Sequence, residues 1–212
     1  MKKCIGIIGL GRCGMPAAEG FLKAGYEVIG YARRPEVITA FEKLGGVYAA
    51  SPQEVAKKTN VIIVIVLNDD QVLEVVSGPE GILQGAKPGD LVICMSTINR
   101  SNLQEVHERC TARQVDFVDC PFTGGPARVA NGTLTLICAA EPAVMERARP
   151  HLEVIGQITD AGPVPGMAQA VKHCNQLLVC AIHAATVELI ALAEKTGADP
   201  RQVCEVVGSG IG

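Results

Sequence analysis

Cys4-Ile5-Gly6-Ile7-Ile8-Gly9-Leu10-Gly11-Arg12-Cys13-Gly14-Met15-Pro16 is the stretch from which the fold is read. Residues 4–8 form a short apolar run that suits a buried strand. Glycines follow at Gly9, Gly11 and Gly14, the G-x-G-x-x-G spacing, and a helical pattern opens at Met15. Gly9 permits the tight turn, Gly11 lets the backbone approach a pyrophosphate, and Gly14 allows close contact between helix and strand. The helix N-terminus behind them offers free N–H groups and the positive end of a dipole, a receptor for phosphate. Pro16 fits the first helical turn, where its missing N–H has no partner to lose. Gly9, Leu10, Gly11, Arg12, Cys13 and Gly14 are therefore the candidate phosphate turn of a dinucleotide-binding unit. Three glycines alone could merely shape a turn; the strand before them and the helix behind make the motif informative. Met1-Lys2-Lys3 ahead of the apolar run imitates a secretory signal, but Arg12 interrupts the run early, so a buried first strand is expected.

About 20 residues further on, at the end of the second strand, an NAD-binding unit places an Asp or Glu for the ribose 2′-hydroxyl. Here the sequence reads Gly30-Tyr31-Ala32-Arg33-Arg34-Pro35, with no acid and two arginines. Guanidinium groups take a phosphate bidentately. NADP is therefore expected over NAD, with Ala32, Arg33 and Arg34 at the 2′-phosphate. The plainer alternative is that both arginines are solvated surface charges.

Outward from these two motifs, apolar runs at 4–8, 27–31, 61–67, 91–95, 117–119, 134–138 and 154–158 alternate with helical patterns at 15–24, 35–44, 52–58, 70–76, 101–113 and 142–152. The run 61–67 is apolar without alternation, as a central parallel strand covered on both faces requires. This is α/β: a Rossmann-like, doubly wound, mostly parallel sheet. After Asp160 the pattern changes. Ala161-Gly162-Pro163-Val164-Pro165-Gly166 reads as a hinge, and a continuous helical stretch follows from Met167 to about Thr196. It is apolar nearly all round from Leu177 to Ala193, so burial against something larger than one sheet face is expected. A second short helix starts at Asp199-Pro200. The expected organisation is a dinucleotide-binding domain over 1–161, then a long helix beginning an all-α domain over 162–212.

Composition narrows the class. Of 212 residues, 48% are apolar and 19% charged, with a net charge of −3, which suits a globular chain and not a nucleic-acid or anionic-membrane binder. There is no Trp, and aromatic residues are 3%, which removes the stacking platforms of single-strand binders. The nine cysteines are odd in number and include no C-x-x-C pair, so neither a disulfide framework nor a metal site is suggested; a reducing cytoplasm fits. The long helix carries Lys172, His173, Asn175, Gln176 and Glu188, so no membrane span is expected.

Further motifs fall at the C-terminal ends of later strands, where open α/β sheets bind ligands. The third long strand ends in Val66-Leu67-Asn68-Asp69 and the next in Met95-Ser96-Thr97. Asp119-Cys120-Pro121-Phe122-Thr123-Gly124-Gly125-Pro126 follows, and its Thr123 hydroxyl with two sterically open backbone N–H groups makes a receptor for a carboxylate; the alternative is a plain Pro/Gly loop. Lys172 sits one or two turns into the long helix, with Asn175 three residues on and on the same face. Beside a positively charged oxidised nicotinamide such a lysine would disfavour its ammonium form and could pass a proton to or from a substrate oxygen. In isolation it would read as a surface lysine.

The order of these motifs, with Asn131-Gly132-Thr133-Leu134-Thr135 and Gly166-Met167-Ala168-Gln169-Ala170-Val171-Lys172-His173-Cys174-Asn175, resembles the β-hydroxyacid dehydrogenase family over nearly the whole chain. That family includes 3-hydroxyisobutyrate dehydrogenase and the glyoxylate and succinic semialdehyde reductases, and 6-phosphogluconate dehydrogenase is a relative. The resemblance implies hydride transfer between NADP and a small β-hydroxyacid or semialdehyde. It implies that Asn68 and Thr97 line the nicotinamide-ribose side, and Leu67 next to Asn68 is a further cofactor-binding candidate. It implies that Thr123, Gly124 and Gly125 hold the substrate, that Lys172 is the general acid/base, and that Asn175 positions the substrate. The sequence departs from the family pattern at Cys13, Thr123, Ala168 and Gln176. The last stands where a second Asn is usual, and as the neighbour of Asn175 it is a further substrate-binding candidate. Family chains continue through a further helical bundle, so this chain is expected to be a piece of a longer protein or to lack the second wall of its site. A small carboxylate substrate and a homodimer or higher oligomer are expected partners, with no nucleic acid and no membrane. Two other readings stand beside this one: a non-catalytic NADP-binding oligomerisation module, and an imine-reductase-like enzyme, against which Lys172 speaks.

Overall fold

The computed structural model describes residues 3–210, and its contacts divide the chain into two compact units, Met1–Lys172 and His173–Gly212. The first unit opens with β1 (Cys4–Ile8), α1 (Gly14–Lys23), β2 (Glu27–Tyr31), α2 (Pro35–Lys43), β3 (Val47–Tyr48) and α3 (Pro52–Lys58). It continues with β4 (Val61–Val64), α4 (Asp69–Ser77), β5 (Leu91–Cys94), α5 (Arg100–Ala112) and β6 (Asp116–Asp119). The six strands form one parallel sheet in the order β3-β2-β1-β4-β5-β6. This is the doubly wound order, in which the chain changes direction between β1 and β4 and opens a crevice at the strands' C-terminal ends.

Strand side chains alternate between two apolar layers, one on each face. Ile5, Ile7, Val61 and Ile63 join Ala17 and Phe21 of α1, Phe41 of α2 and, further along the chain, Leu152. Ile8, Ile62 and Val64 join Val55, Val72, Val76, Leu103 and Val106 of α3, α4 and α5. Because both faces are covered, β4 and β5 are buried at every position, which is why their sequences show no alternation.

Past β6 a smaller sheet forms from β7 (Phe122–Thr123), β8 (Leu134–Cys138) and β9 (Gly156–Asp160), with α6 (Gly125–Ala130) and α7 (Pro142–Leu152) between them. β7 and β8 pair antiparallel, β8 and β9 parallel, and a single bridge from Asp119 to Ala139 links this sheet to β6. Two of the expected strands have bounds shifted by two residues or more. The strand expected over 61–67 ends at Val64, beyond which only the Ile65 N–H still bonds Ile8 O. The last strand starts at Gly156 because the Val154 and Ile155 N–H groups turn back to His151 O and Leu152 O at the end of α7.

α8 (Met167–Thr196) begins in the first unit and continues into the second, which also holds α9 (Pro200–Ser209), capped by the Asp199 carboxylate on the Arg201 N–H. The burial expected for the apolar stretch of α8 is not found among the described residues. Leu177 is 74% exposed, and Leu178, Ile182, Val187 and Leu192 are exposed as well. A helix apolar all round needs cover on several sides, and the second unit offers only the ten residues of α9. By length and composition alone α8 would suffice to cross a membrane, which the sequence reading did not grant it.

Candidate functional site

At the C-terminal end of the main sheet lies a cavity of about 520 Å³. Its floor is the end of β1 with the glycine turn, Ile8 to Gly11; one wall is Tyr31, Ala32, Arg33 and Arg34 after β2; the other is Ile65, Val66 and Leu67 after β4, with Gln71 and Glu74 of α4. Thus Gly9, Leu10, Gly11, Ala32, Arg33, Arg34 and Leu67, each singled out from sequence, meet around one space. It sits at the change of strand order, where this architecture binds nucleotides.

The three glycines divide by what surrounds them. Gly9 has φ +100°, and a Cβ there would lie 2.0 Å from Ile65 O. At Gly14 a Cβ would lie 1.9 Å from Gly9 O. Both positions are closed to any side chain by the protein itself. At Gly11 a Cβ would meet no protein atom within 4 Å, so the fold does not require glycine there. A bare backbone at that point suits close approach by a phosphate, and the residues present fit a dinucleotide.

Arg12 is exposed, and Cys13, at the N-cap of α1, is half-buried with its thiol pushed up by burial. Neither they nor Gly14 line the cavity. Arg33 makes no ion pair among the described residues, and Arg34 has only a long, exposed contact of 3.8 Å to Glu36. Such a contact competes weakly with a bound anion. Glu74 and Glu80 also border the space, and the half-buried Tyr31 phenol is raised chiefly by burial, with Arg33 pulling it down and both glutamates pushing it up.

Asn68 caps α4, its Oδ1 accepting the Gln71 N–H at 3.0 Å, and its NH₂ has no hydrogen bond among the described residues. Thr97 is exposed just beyond β5, while its neighbour Ser96 is buried. The Ser96 hydroxyl accepts the Val66 N–H and donates to Val66 O, both at 2.9 Å, and so ties the loop after β5 to the cavity wall. Thr123 lies on β7, paired with Thr135, and Gly124 and Gly125 follow at φ +128° and +68° into α6. None of Asn68, Thr97, Thr123, Gly124 or Gly125 lines the cavity.

Lys172 is 7% exposed, and burial alone pushes its ammonium below the ordinary lysine range. It is therefore no surface lysine. Asn175 is three residues further along α8, in the second unit, and its side-chain oxygen is shielded from solvent without a partner among the described residues; Gln176 is exposed. Two residues with no role in the sequence reading stand out here: the fully buried Asp119 and Gln169, which bond to each other. A buried Asp at the end of a strand and a Gln one turn before Lys172 were the available signals.

Comparison with known proteins identifies the family. Residues 4–187 match the model of the NAD binding domain of 6-phosphogluconate dehydrogenase. Residues 166–212 match that of the NAD-binding of NADP-dependent 3-hydroxyisobutyrate dehydrogenase. The chain is 33% identical over 213 residues to L-threonate dehydrogenase of Cupriavidus necator, covering 100% of this chain and 72% of that protein. It is 33% identical over 212 residues to the mitochondrial 3-hydroxyisobutyrate dehydrogenase of Mus musculus, covering 100% of this chain and 63% of the relative. The crystal structure of a 3-hydroxyisobutyrate dehydrogenase from Salmonella typhimurium superposes with a TM-score of 0.91 at 30% identity, over 100% of this chain and 74% of the other. An imine reductase from Myxococcus stipitatus shares the fold (TM-score 0.90) at 20% identity, over 97% of this chain and 71% of the other. As the order of its motifs implied, the chain belongs to the β-hydroxyacid dehydrogenase family of NAD(P)-dependent oxidoreductases.

Proposed function

We propose that this chain reduces a small aldehyde or ketone bearing a carboxylate with NADPH, or runs the reverse oxidation of a β-hydroxyacid. The observation that carries the reading is the pairing of the open glycine turn with Arg33 and Arg34 across one cavity that has no acid at the end of β2. Leu10 and Leu67 supply apolar walls, and Asn68 and Thr97 serve the nicotinamide-ribose side. NADPH supplies the hydride. Thr123, with the N–H groups of Gly124 and Gly125, holds the substrate carboxylate. Lys172 delivers a proton to the carbonyl oxygen on reduction and removes it from the hydroxyl on oxidation. Asn175 hydrogen-bonds the substrate, with Gln176 beside it. The exposed apolar residues of α8 support self-association as a homodimer or higher oligomer. All nine cysteines are free, which supports a reducing, cytoplasmic setting.

The direct test follows NADPH absorbance with glyoxylate, succinic semialdehyde and tartronate semialdehyde, and NADP⁺ reduction with L-threonate and 3-hydroxyisobutyrate. At least one carboxylate-bearing substrate should turn over; turnover of cyclic imines alone would replace this reading. NADPH should also bind more tightly than NADH. In the Arg33→Ala/Arg34→Ala variant that preference should vanish, with a loss of roughly tenfold or more in NADPH affinity, about 1.4 kcal/mol or more. Tighter binding of NADH by the unaltered protein would sink the assignment.

A further inference from the structure

Asp119 ends β6 and is 0% exposed. Its backbone N–H and C=O both pair with Ala139, at 3.1 and 2.8 Å. Its carboxylate Oδ2 accepts the Gly166 N–H at 2.8 Å and the Gln169 N–H at 3.2 Å, at the start of α8. Oδ1 accepts Gln169 Nε2 at 3.0 Å. Gln169 is also 0% exposed; its Nε2 donates a second time, to Ser96 O at 3.0 Å, and its Oε1 accepts the Ile98 N–H at 3.2 Å. Both amide hydrogens and the amide oxygen are thus in use, and the side chain has only one orientation that satisfies them.

A helix start needs no such arrangement. An exposed Ser or Asp caps a helix well enough, whereas a fully buried carboxylate carries a large desolvation cost that only a saturated set of donors offsets. What the buried pair adds over a cap is a fixed rotation and height of the helix. Asp119 reads the first-turn N–H groups, and Gln169 reads the loop after β5. Sliding or turning α8 would break several of these bonds at once. Lys172 lies three residues beyond Gln169, hence on the same side of the helix and about 4.5 Å along its axis. The loop that Gln169 grips is the one whose Ser96 hydroxyl holds Val66 in the cavity wall.

We propose that Asp119 and Gln169 are positioning residues for the reaction: they set the place of the Lys172 ammonium relative to the cofactor cavity through the chain Val66–Ser96–Gln169–Lys172. The inference rests on Lys172 being the acid/base group, as proposed above. Neither residue touches substrate, and each acts through the lysine.

A double-mutant cycle with Gln169→Met and Lys172→Ala tests this, reading the single-turnover rate of NADPH oxidation, KM for the aldehyde and Kd for NADPH. Gln169→Met alone should lower the rate by roughly 10–100-fold, the scale of a misplacement near 1 Å, with Kd for NADPH changed less than about threefold. In the Lys172→Ala background the same substitution should change the rate less than about threefold, because the residue it positions is gone. An equal loss in both backgrounds, or no loss in the unaltered background, overturns the positioning role while leaving Lys172 in place. Full turnover by Lys172→Ala overturns the lysine assignment and this inference with it. Asp119→Asn is the second variant should Gln169→Met not fold. Its side-chain oxygen still caps α8, but its NH₂ faces Gln169 Nε2, donor against donor. It should give the same dependence on Lys172, and an additive loss counts against the proposal.

Discussion

Lys172→Ala should lower the rate of NADPH oxidation about 10²–10⁴-fold, the range for removal of a positioned acid/base group, and leave NADPH affinity unchanged. The side chain is 7% exposed, and burial is the one cause that moves its ionisation. Among the described residues no carboxylate pairs with the ammonium, so nothing offsets the downward shift that burial imposes. The sign for each direction follows. On reduction the lysine must start protonated, so kcat falls as pH rises through its lowered pKa, at a pH below the ordinary lysine value of about 10.4. On oxidation it must start neutral, so kcat rises through the same pKa. Lys172→Arg keeps the charge at every accessible pH and cannot take the proton, so the oxidative rate should be lost. Lys172→Met removes a buried charge while keeping the length of the side chain, and should melt at or above the temperature of the unaltered protein. Retained turnover in the alanine variant removes Lys172 from the mechanism. Lost turnover with a collapsed melting temperature assigns it to folding instead.

The sheet was legible because both of its faces are covered. A parallel strand buried on each side must be apolar throughout, and 4–8, 61–64 and 91–94 carry that signature with helical patterns between them. The two-residue strands β3 and β7 and the six-residue α6 carry too few residues for any periodicity to register. The glycine turn and Arg33-Arg34 were legible because each is a local pattern whose spacing is set by one strand end. Asp119 and Gln169 were not. They are 50 residues apart in sequence, and their meaning comes from mutual burial, which a linear reading cannot supply. Cover for α8 was anticipated from its composition, yet composition reports that an apolar face needs a partner and says nothing of which chain provides it.

The glycine turn itself carries the other large effect, because its three glycines answer to different constraints. Gly14→Ala should destabilise the first unit by about 3 kcal/mol or more, since its Cβ would stand 1.9 Å from Gly9 O and neither backbone can yield without opening the contact between β1 and α1. Gly9→Ala should do at least as much: its Cβ would meet Ile65 O at 2.0 Å, and φ +100° is a backbone region alanine rarely adopts. At this chain length 3 kcal/mol corresponds to a drop of roughly 6–12 °C in melting temperature. Gly11→Ala meets no protein atom and should melt as the unaltered protein does. Its methyl group would instead occupy the space left to the phosphates and raise Kd for NADPH at least about tenfold, 1.4 kcal/mol. Calorimetric melting and a fluorescence titration with NADPH on the three variants separate the two classes of constraint. Unaltered NADPH affinity in Gly11→Ala would place the pyrophosphate away from this turn, and an unaltered melting temperature in Gly14→Ala would contradict the packing of α1 on β1. The expected pattern is affinity lost without stability at Gly11, and stability lost at Gly9 and Gly14. It arises because a Cβ at Gly11 has open space before it, whereas one at Gly9 or Gly14 meets protein backbone.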